Sequence, residues 1–137
     1  MTGWRLGYAA GPREIIQQMI TLQQYTFSSV CSFAQKSALK ALDFAVDDHI
    51  ERYKTKRDII YEGLREKYRV QKPLGAFYIF PEVPGRNGEA FVERAIQKNL
   101  FIIPGSVFSK RNTHVRISFA ASDEMLFRGI EILNQMA

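Results

Sequence analysis

The sequence predicts an α/β fold: a small sheet covered by helices on one side, preceded by a strand and a helix that belong to another body. Three observations carry this. Apolar residues run at helical spacing, switch after residue 70 to an aromatic and β-branched pattern, and return to helical spacing at the end. The resulting order over residues 33–137 is helix, strand, helix, strand, strand, helix. A serine-rich bend at residues 28–35 separates that series from the first 30 residues, which sets a border between 1–32 and 33–137.

The elements follow in chain order. Trp4, Leu6 and Tyr8 alternate, which suits a half-buried strand. Gly3 and Gly7 punctuate it and permit close backbone approach or positive φ. Gly11-Pro12 marks a helix start with Pro12 at the first helical position. Ile15, Ile16, Met19, Ile20 and Leu22 form one apolar stripe on that helix. Ser32-Phe33-Ala34-Gln35 has the spacing of a capping box, opening a second helix that runs to about Phe44. Asp47 to Tyr68 reads as a long helix, on the order of 30 Å. Its apolar face is Ile50, Tyr53, Ile60, Tyr61, Leu64 and Tyr68. Ala76 to Phe80 is a β-prone aromatic run, and Pro81, Pro84-Gly85 and Asn87-Gly88 are turn signals. A short helix follows over Glu89–Lys98, with Phe91, Val92, Ala95 and Ile96 inward and Asn99 as a left-handed cap. Leu100–Ile103 is a strand closed by Pro104-Gly105. His114–Ala120 is another, with Val115, Ile117 and Phe119 on one face. Ser122 or Asp123 caps a last helix, where Leu126, Ile130 and Leu133 repeat.

Composition narrows the function classes. The 19 Lys+Arg exceed the 14 Asp+Glu by only five, and they are scattered along helical segments rather than clustered with aromatics, so no nucleic-acid partner is expected. One cysteine, Cys31, excludes an internal disulfide and fits a reducing, cytoplasmic setting. It lies in an apolar, serine-rich run with no histidine nearby and reads as a small buried residue. There is no apolar run of membrane-spanning length and no signal-peptide pattern, so no membrane partner is expected.

Two arginines and one aromatic are candidates for chemistry. Arg5 points away from the apolar residues beside it and carries five donors in a rigid fork suited to phosphate or carboxylate, or it is a surface arginine on an edge strand. Arg116 lies mid-strand between Val115 and Ile117, which face the other way. A charged residue there needs a partner or water. On the pattern alone it is an edge-strand arginine or one half of an internal salt bridge. Phe77, in the aromatic run, reads on the pattern alone as a core aromatic. His49 and His114 have no metal-ligand neighbours at useful spacing, and Asp47-Asp48 is an ordinary acidic helix start, so no metal site is expected. No P-loop and no Gly-x-Ser-x-Gly elbow is present.

Four stretches together resemble one family. M-T-G-W-R-L-G-Y-A-A-G-P, at the start, is similar to a segment of the fold-type I, pyridoxal-phosphate-dependent aminotransferases, in the aspartate/aromatic branch. H-V-R-I-S-F-A around Arg116 resembles the family's (V/I)-R-(I/L)-S-(F/Y)-A. G-A-F-Y-I-F-P and I-P-G-S-V-F resemble two further family segments, in the family's order, and the second is read as architecture rather than a contact. The loop from Ser109 to Val115 departs from the family: it is basic and lacks the glycines often found there.

The resemblance implies the C-terminal part of such an enzyme: residues 1–32 a remnant of the large cofactor-binding domain, residues 33–137 the small domain. It implies that Arg5 contacts the phosphate of pyridoxal phosphate, that Arg116 grips the substrate α-carboxylate and that Phe77 lies near the substrate side chain. In the family pattern S-K-x-(F/Y)-x-M-T-G-W-R the lysine carries the cofactor as a Schiff base. That position falls just before Met1, so this chain is expected to be inactive alone. The complete enzyme would exchange an amino group between an amino acid, of aspartate or aromatic type, and a 2-oxo acid. A homodimer or swapped oligomer is expected, because the 15–22 stripe faces a large domain in the family. The rival is a standalone assembly or carboxylate-binding module derived from an aminotransferase tail.

Overall fold

The structure is a computed structural model, and it describes residues 2–137. The chain divides into two compact units, Met1–Val46 and Asp47–Ala137.

The first unit is helical. A 3₁₀ turn spans Thr2–Trp4, and no regular element follows until helix α1, Arg13–Thr26. The strand expected at residues 4–9 does not form, because a strand exists only as part of a hydrogen-bonded ladder and the described residues of this unit contain no second strand. Neither Gly3 nor Gly7 adopts positive φ; Arg5 does, at 53°. Helix α1 starts one residue later than expected: Pro12 is its cap, with φ −53° and ψ 138°, and its carbonyl accepts from Ile15 and Ile16. Helix α2, Ser32–Ala41, has Cys31 rather than Ser32 at its cap position. The capping box is therefore out of register. The Gln35 side-chain Nε2 donates instead to the Val30 carbonyl at 2.9 Å. Cys31 is exposed, not buried. The α1 stripe is present but uncovered: Ile15 is 57% and Leu22 65% exposed, and no residue of α1 is buried. Trp4 meets Phe33 edge to face at 6.0 Å, and Ala34 is the one buried residue among those described in this unit.

The second unit holds the core. Helix α3, Asp47–Leu64, is followed by strand β1, Tyr78–Ile79, helix α4, Gly88–Gln97, strands β2, Ile103–Pro104, and β3, Val115–Ser118, and helix α5, Asp123–Met136. The sheet order is β1-β3-β2, antiparallel throughout, with Tyr78 opposite Ser118 and Ile103 opposite Arg116. Val115, Ile117 and Phe119 point to one face and are buried, as the alternation predicts. Ile60 and Leu64 of α3, Phe91, Val92 and Ala95 of α4, and Leu126 and Leu133 of α5 join them in a single cluster, so the helices cover that one face. Gly63 lets α3 and α5 approach closely: a Cβ there would lie 2.7 Å from a methyl of Ile130.

Three inward assignments fail, at Ile50, Tyr53 and Ile96, while Tyr68 is buried as expected but from beyond its helix. α3 stops at Leu64, and Tyr68 reaches the core from the turn beyond, where its hydroxyl donates to the Leu133 carbonyl at 2.5 Å. Ile50 and Tyr53, on the first half of α3, stay exposed because α5 packs against the second half. Ile96 turns outward, one position past the buried Ala95. Asn99 takes the expected left-handed conformation, with φ 57°. Ser122 caps α5, its Oγ accepting from the Met125 amide at 3.3 Å.

Candidate functional site

The face of the sheet opposite the core is open, and Arg116 stands on it. β3 is the central strand, so Arg116 is not on an edge. Nor is it half of a salt bridge: among the described residues no carboxylate oxygen lies within 4.0 Å of it. Two aromatic rings hold it instead. Its Cζ lies 4.4 Å from the ring centre of Tyr78 and 4.0 Å from that of Phe108. A guanidinium stacks well on such faces, because their quadrupole attracts the cation and the planar group loses little hydration. The stack restrains the fork while leaving its in-plane N–H donors available to a planar anion.

Local structure explains how these partners arrive. Tyr78 stands on β1, beside β3, and antiparallel pairing with Ser118 brings its ring to the Arg116 side. Phe108 ends a 3₁₀ turn, Gly105–Val107, whose Gly105 amide donates to the His114 carbonyl at 2.7 Å. A Cβ on Gly105 would lie 2.7 Å from that same oxygen, so only glycine allows the turn to close on β3 there. The turn after Pro104 is thus architecture and contact together. The loop of residues 109–113, which lacks glycine, is secured by Asn112. Its Oδ1 accepts from the Glu89 amide at 3.0 Å, and its Nδ2 donates to Asn87 Oδ1 at 3.2 Å.

Phe77 is 38% exposed and rests against Tyr78 at 4.5 Å and Tyr53 at 6.0 Å between ring centres. It therefore stands outside the core, next to a ring that contacts Arg116. Its carbonyl accepts from the Phe119 amide, which fixes its backbone to β3. Arg5 is exposed in the first unit, on a left-handed residue, with no carboxylate partner among the described residues. Met1, which opens the first motif, lies outside the described residues. No group of three or more His, Cys, Asp or Glu side chains able to hold a metal occurs among the described residues. No helix among them is long and apolar enough to cross a membrane.

The family model for aminotransferase class I and II matches residues 1–133. The chain is a member of that family. A probable aspartate aminotransferase of Methanocaldococcus jannaschii is 35% identical over 99% of this chain and 39% of its own length. The crystal structure of an aspartate aminotransferase from Thermotoga maritima superposes with a TM-score of 0.86 at 32% identity, over 98% of this chain and 36% of that one. An aromatic aminotransferase from Pyrococcus horikoshii gives 0.84 at 34% identity, over 98% and 39%. The chain thus spans less than two-fifths of the length of these relatives. Within this aminotransferase chain, Tyr78 and Phe108 are the residues that sequence reasoning missed. Tyr78 had a usable signal: it alternates with the buried Ile79, which puts it on the same open face as Arg116. Phe108 had none, since a turn of unknown geometry separates it from β3.

Proposed function

We propose that this chain is the C-terminal part of a pyridoxal-phosphate-dependent aminotransferase of aspartate or aromatic type, and that Arg116 binds the α-carboxylate of the amino acid and of the 2-oxo acid. The observation that carries this is the arginine stacked between Tyr78 and Phe108 on an open sheet face, with no carboxylate among the described residues to satisfy its fork. A planar carboxylate matches two parallel N–H donors, which a lysine cannot present. Phe77, exposed beside Tyr78, suits the wall next to the substrate side chain. In this reading residues 1–32 belong to the large domain and residues 33–137 to the small one, and the setting is cytoplasmic.

Arg5 suits the cofactor phosphate. It is an exposed guanidinium with no carboxylate to neutralise it among the described residues, and Gly3 beside it leaves open space where a Cβ would project. Pyridoxal phosphate, when bound, supplies the electron sink for the chemistry. This chain supplies orientation: Arg5 at the phosphate and Arg116 at the carboxylate. None of its lysines stands in the family's cofactor-carrying pattern, so by itself it turns over no substrate. The uncovered stripe of α1 suits a homodimer or an exchange of segments between copies; sedimentation showing a monomer at micromolar concentration would refute that.

The test of the reading is Arg116→Lys in the complete enzyme, made by joining this chain to the upstream portion. Loss of one charge-assisted hydrogen bond, about 1.5–3 kcal/mol, lowers kcat/KM by about tenfold to a hundredfold. An unchanged kcat/KM removes Arg116 from the substrate site.

A further inference from the structure

A second cationic feature lies on the Asp47–Ala137 unit, and the proposed function uses none of its cations. It is a cleft of about 950 Å³ where three stretches of chain meet: residues 69–74, residues 78–86 from β1 onward, and residues 111–114. The Glu82 amide donates to the Arg69 carbonyl at 3.0 Å, and the Val83 amide to the Thr113 carbonyl at 2.9 Å. These bonds pin the base of the cleft, while Pro73 and Leu74 stand across from Tyr78 and Phe80. Phe80 and His114 stack at 5.1 Å with 11° between their planes and form one wall.

The charge is concentrated here. The unit carries fifteen Lys and Arg against twelve Asp and Glu. The cleft walls take four of the former, Arg69, Lys72, Arg86 and Arg111, and one of the latter, Glu82. The rest of the unit balances at eleven of each, so its whole excess of three lies in the cleft. Internal pairing does not use it up. Glu82, only 15% exposed, is shared between Arg86 at 2.8 Å and Arg69 at 3.9 Å, and Lys72 pairs with Asp58 at 2.9 Å. Arg111 has no carboxylate within 4.0 Å among the described residues. Like charges gathered in a concave site raise the local potential and concentrate counter-ions.

The geometry points to a second anion-binding site in this cleft, adjoining the Arg116 site at Tyr78 but built on other cations, for a small molecule carrying at least two negative charges on phosphate or carboxylate oxygens. Arg111 supplies the unpaired fork, Arg69 and Arg86 share the remaining positive charge across Glu82, and the Phe80–His114 stack limits the depth to which the ligand enters.

The experiment uses the ¹⁵N-labelled 137-residue chain, titrated with inorganic pyrophosphate and, separately, with citrate. Saturable shifts are expected at the amides of residues 69–74 and 111–114. Arg111→Gln should weaken binding by about tenfold, the effect of one lost charge-assisted contact. Lys98→Gln, exposed on another face and equal in net charge, should leave it unchanged. Arg111 is exposed, so the substitution leaves the core intact, and unshifted β3 amides would verify that. Tighter pyrophosphate binding assigns a phosphate ligand and tighter citrate a carboxylate; either supports the site. No saturable shift at millimolar concentration, or equal weakening by Lys98→Gln, overturns it.

Discussion

Both units of this chain are rich in apolar sequence, and they use it in opposite ways. Helix α1 presents Ile15, Met19, Ile20 and Leu22 along one stripe, and all four are exposed. Helix α4 presents Phe91, Val92 and Ala95 along a comparable stripe, and all three are buried. Periodicity therefore records that a helix has a face to cover, not what covers it. The second unit provides the cover within itself: α3, α4 and α5 share one face of a three-stranded sheet. Among its described residues the first unit has two α-helices and no sheet, and Ala34 alone is buried.

The contrast predicts very different costs for truncating an apolar side chain. Phe91 is fully buried and meets Tyr68 edge to face at 6.2 Å. Phe91→Ala should destabilise the second unit by about 3–5 kcal/mol, from lost transfer energy and an unfilled cavity. Leu22→Ala, on a side chain 65% exposed in the single chain, should change stability by less than about 0.5 kcal/mol at dilutions where the chain is monomeric. Urea unfolding followed separately at the amides of β3 and of α1 measures both. A Leu22→Ala cost near that of Phe91→Ala would mean that the α1 stripe is covered in solution, and the comparison would break.

The same contrast decides how much was legible in the sequence. Where an element is satisfied by its own neighbours in the chain, sequence was enough: the face of β3, the left-handed Asn99 and the Ser122 cap follow from local rules. Where the partner is distant, it was not. The alternation of Trp4, Leu6 and Tyr8 suits a strand, but no strand stands beside it among the described residues of its unit. At the candidate site, Arg116 was legible from its charge within an apolar strand. The rings that hold it come from residues 38 positions before it and eight before it, and only the register of β1 on β3 and the closure at Gly105 bring them there.

Tyr68 sharpens the comparison at an intermediate scale. Its hydroxyl donates to the Leu133 carbonyl inside the core. Tyr68→Phe leaves that carbonyl without its donor and should cost about 1–3 kcal/mol. Burial pushes the Tyr68 hydroxyl up from 10.0 to about 12, while the charge of Arg94 pulls it the other way. The folded state thus holds this proton more tightly than the unfolded state. Its stabilising contribution is complete below pH 10 and is lost as pH rises toward about 12. Stability measured across that window should fall with pH in the native sequence and fall less steeply in Tyr68→Phe. Equal slopes would show that Tyr68 ionises as freely in the fold as out of it.

Helix caps give a smaller effect than Tyr68, and here the two units should differ in sign. Asn87 caps α4, its Oδ1 accepting from the Ala90 amide at 3.1 Å, and Ser122 caps α5. In the first unit, Pro12 before α1 and Cys31 before α2 make no side-chain cap bond. Ser122→Ala should therefore cost about 1 kcal/mol, since the Met125 amide loses its acceptor near the helix start. Cys31→Ser should do the reverse. Cys31 already has extended backbone, with φ −52° and ψ 123°, and a hydroxyl there can accept from the amide of Phe33 or Ala34 as a thiol does weakly. The gain, a few tenths to about 1 kcal/mol, is local to α2 and should appear as slower hydrogen exchange at those two amides. If exchange there is unchanged while Ser122→Ala still destabilises α5, then α2 opens by some route other than fraying at its start. The weakness of the first unit would then lie in its missing cover alone and not in its helix ends.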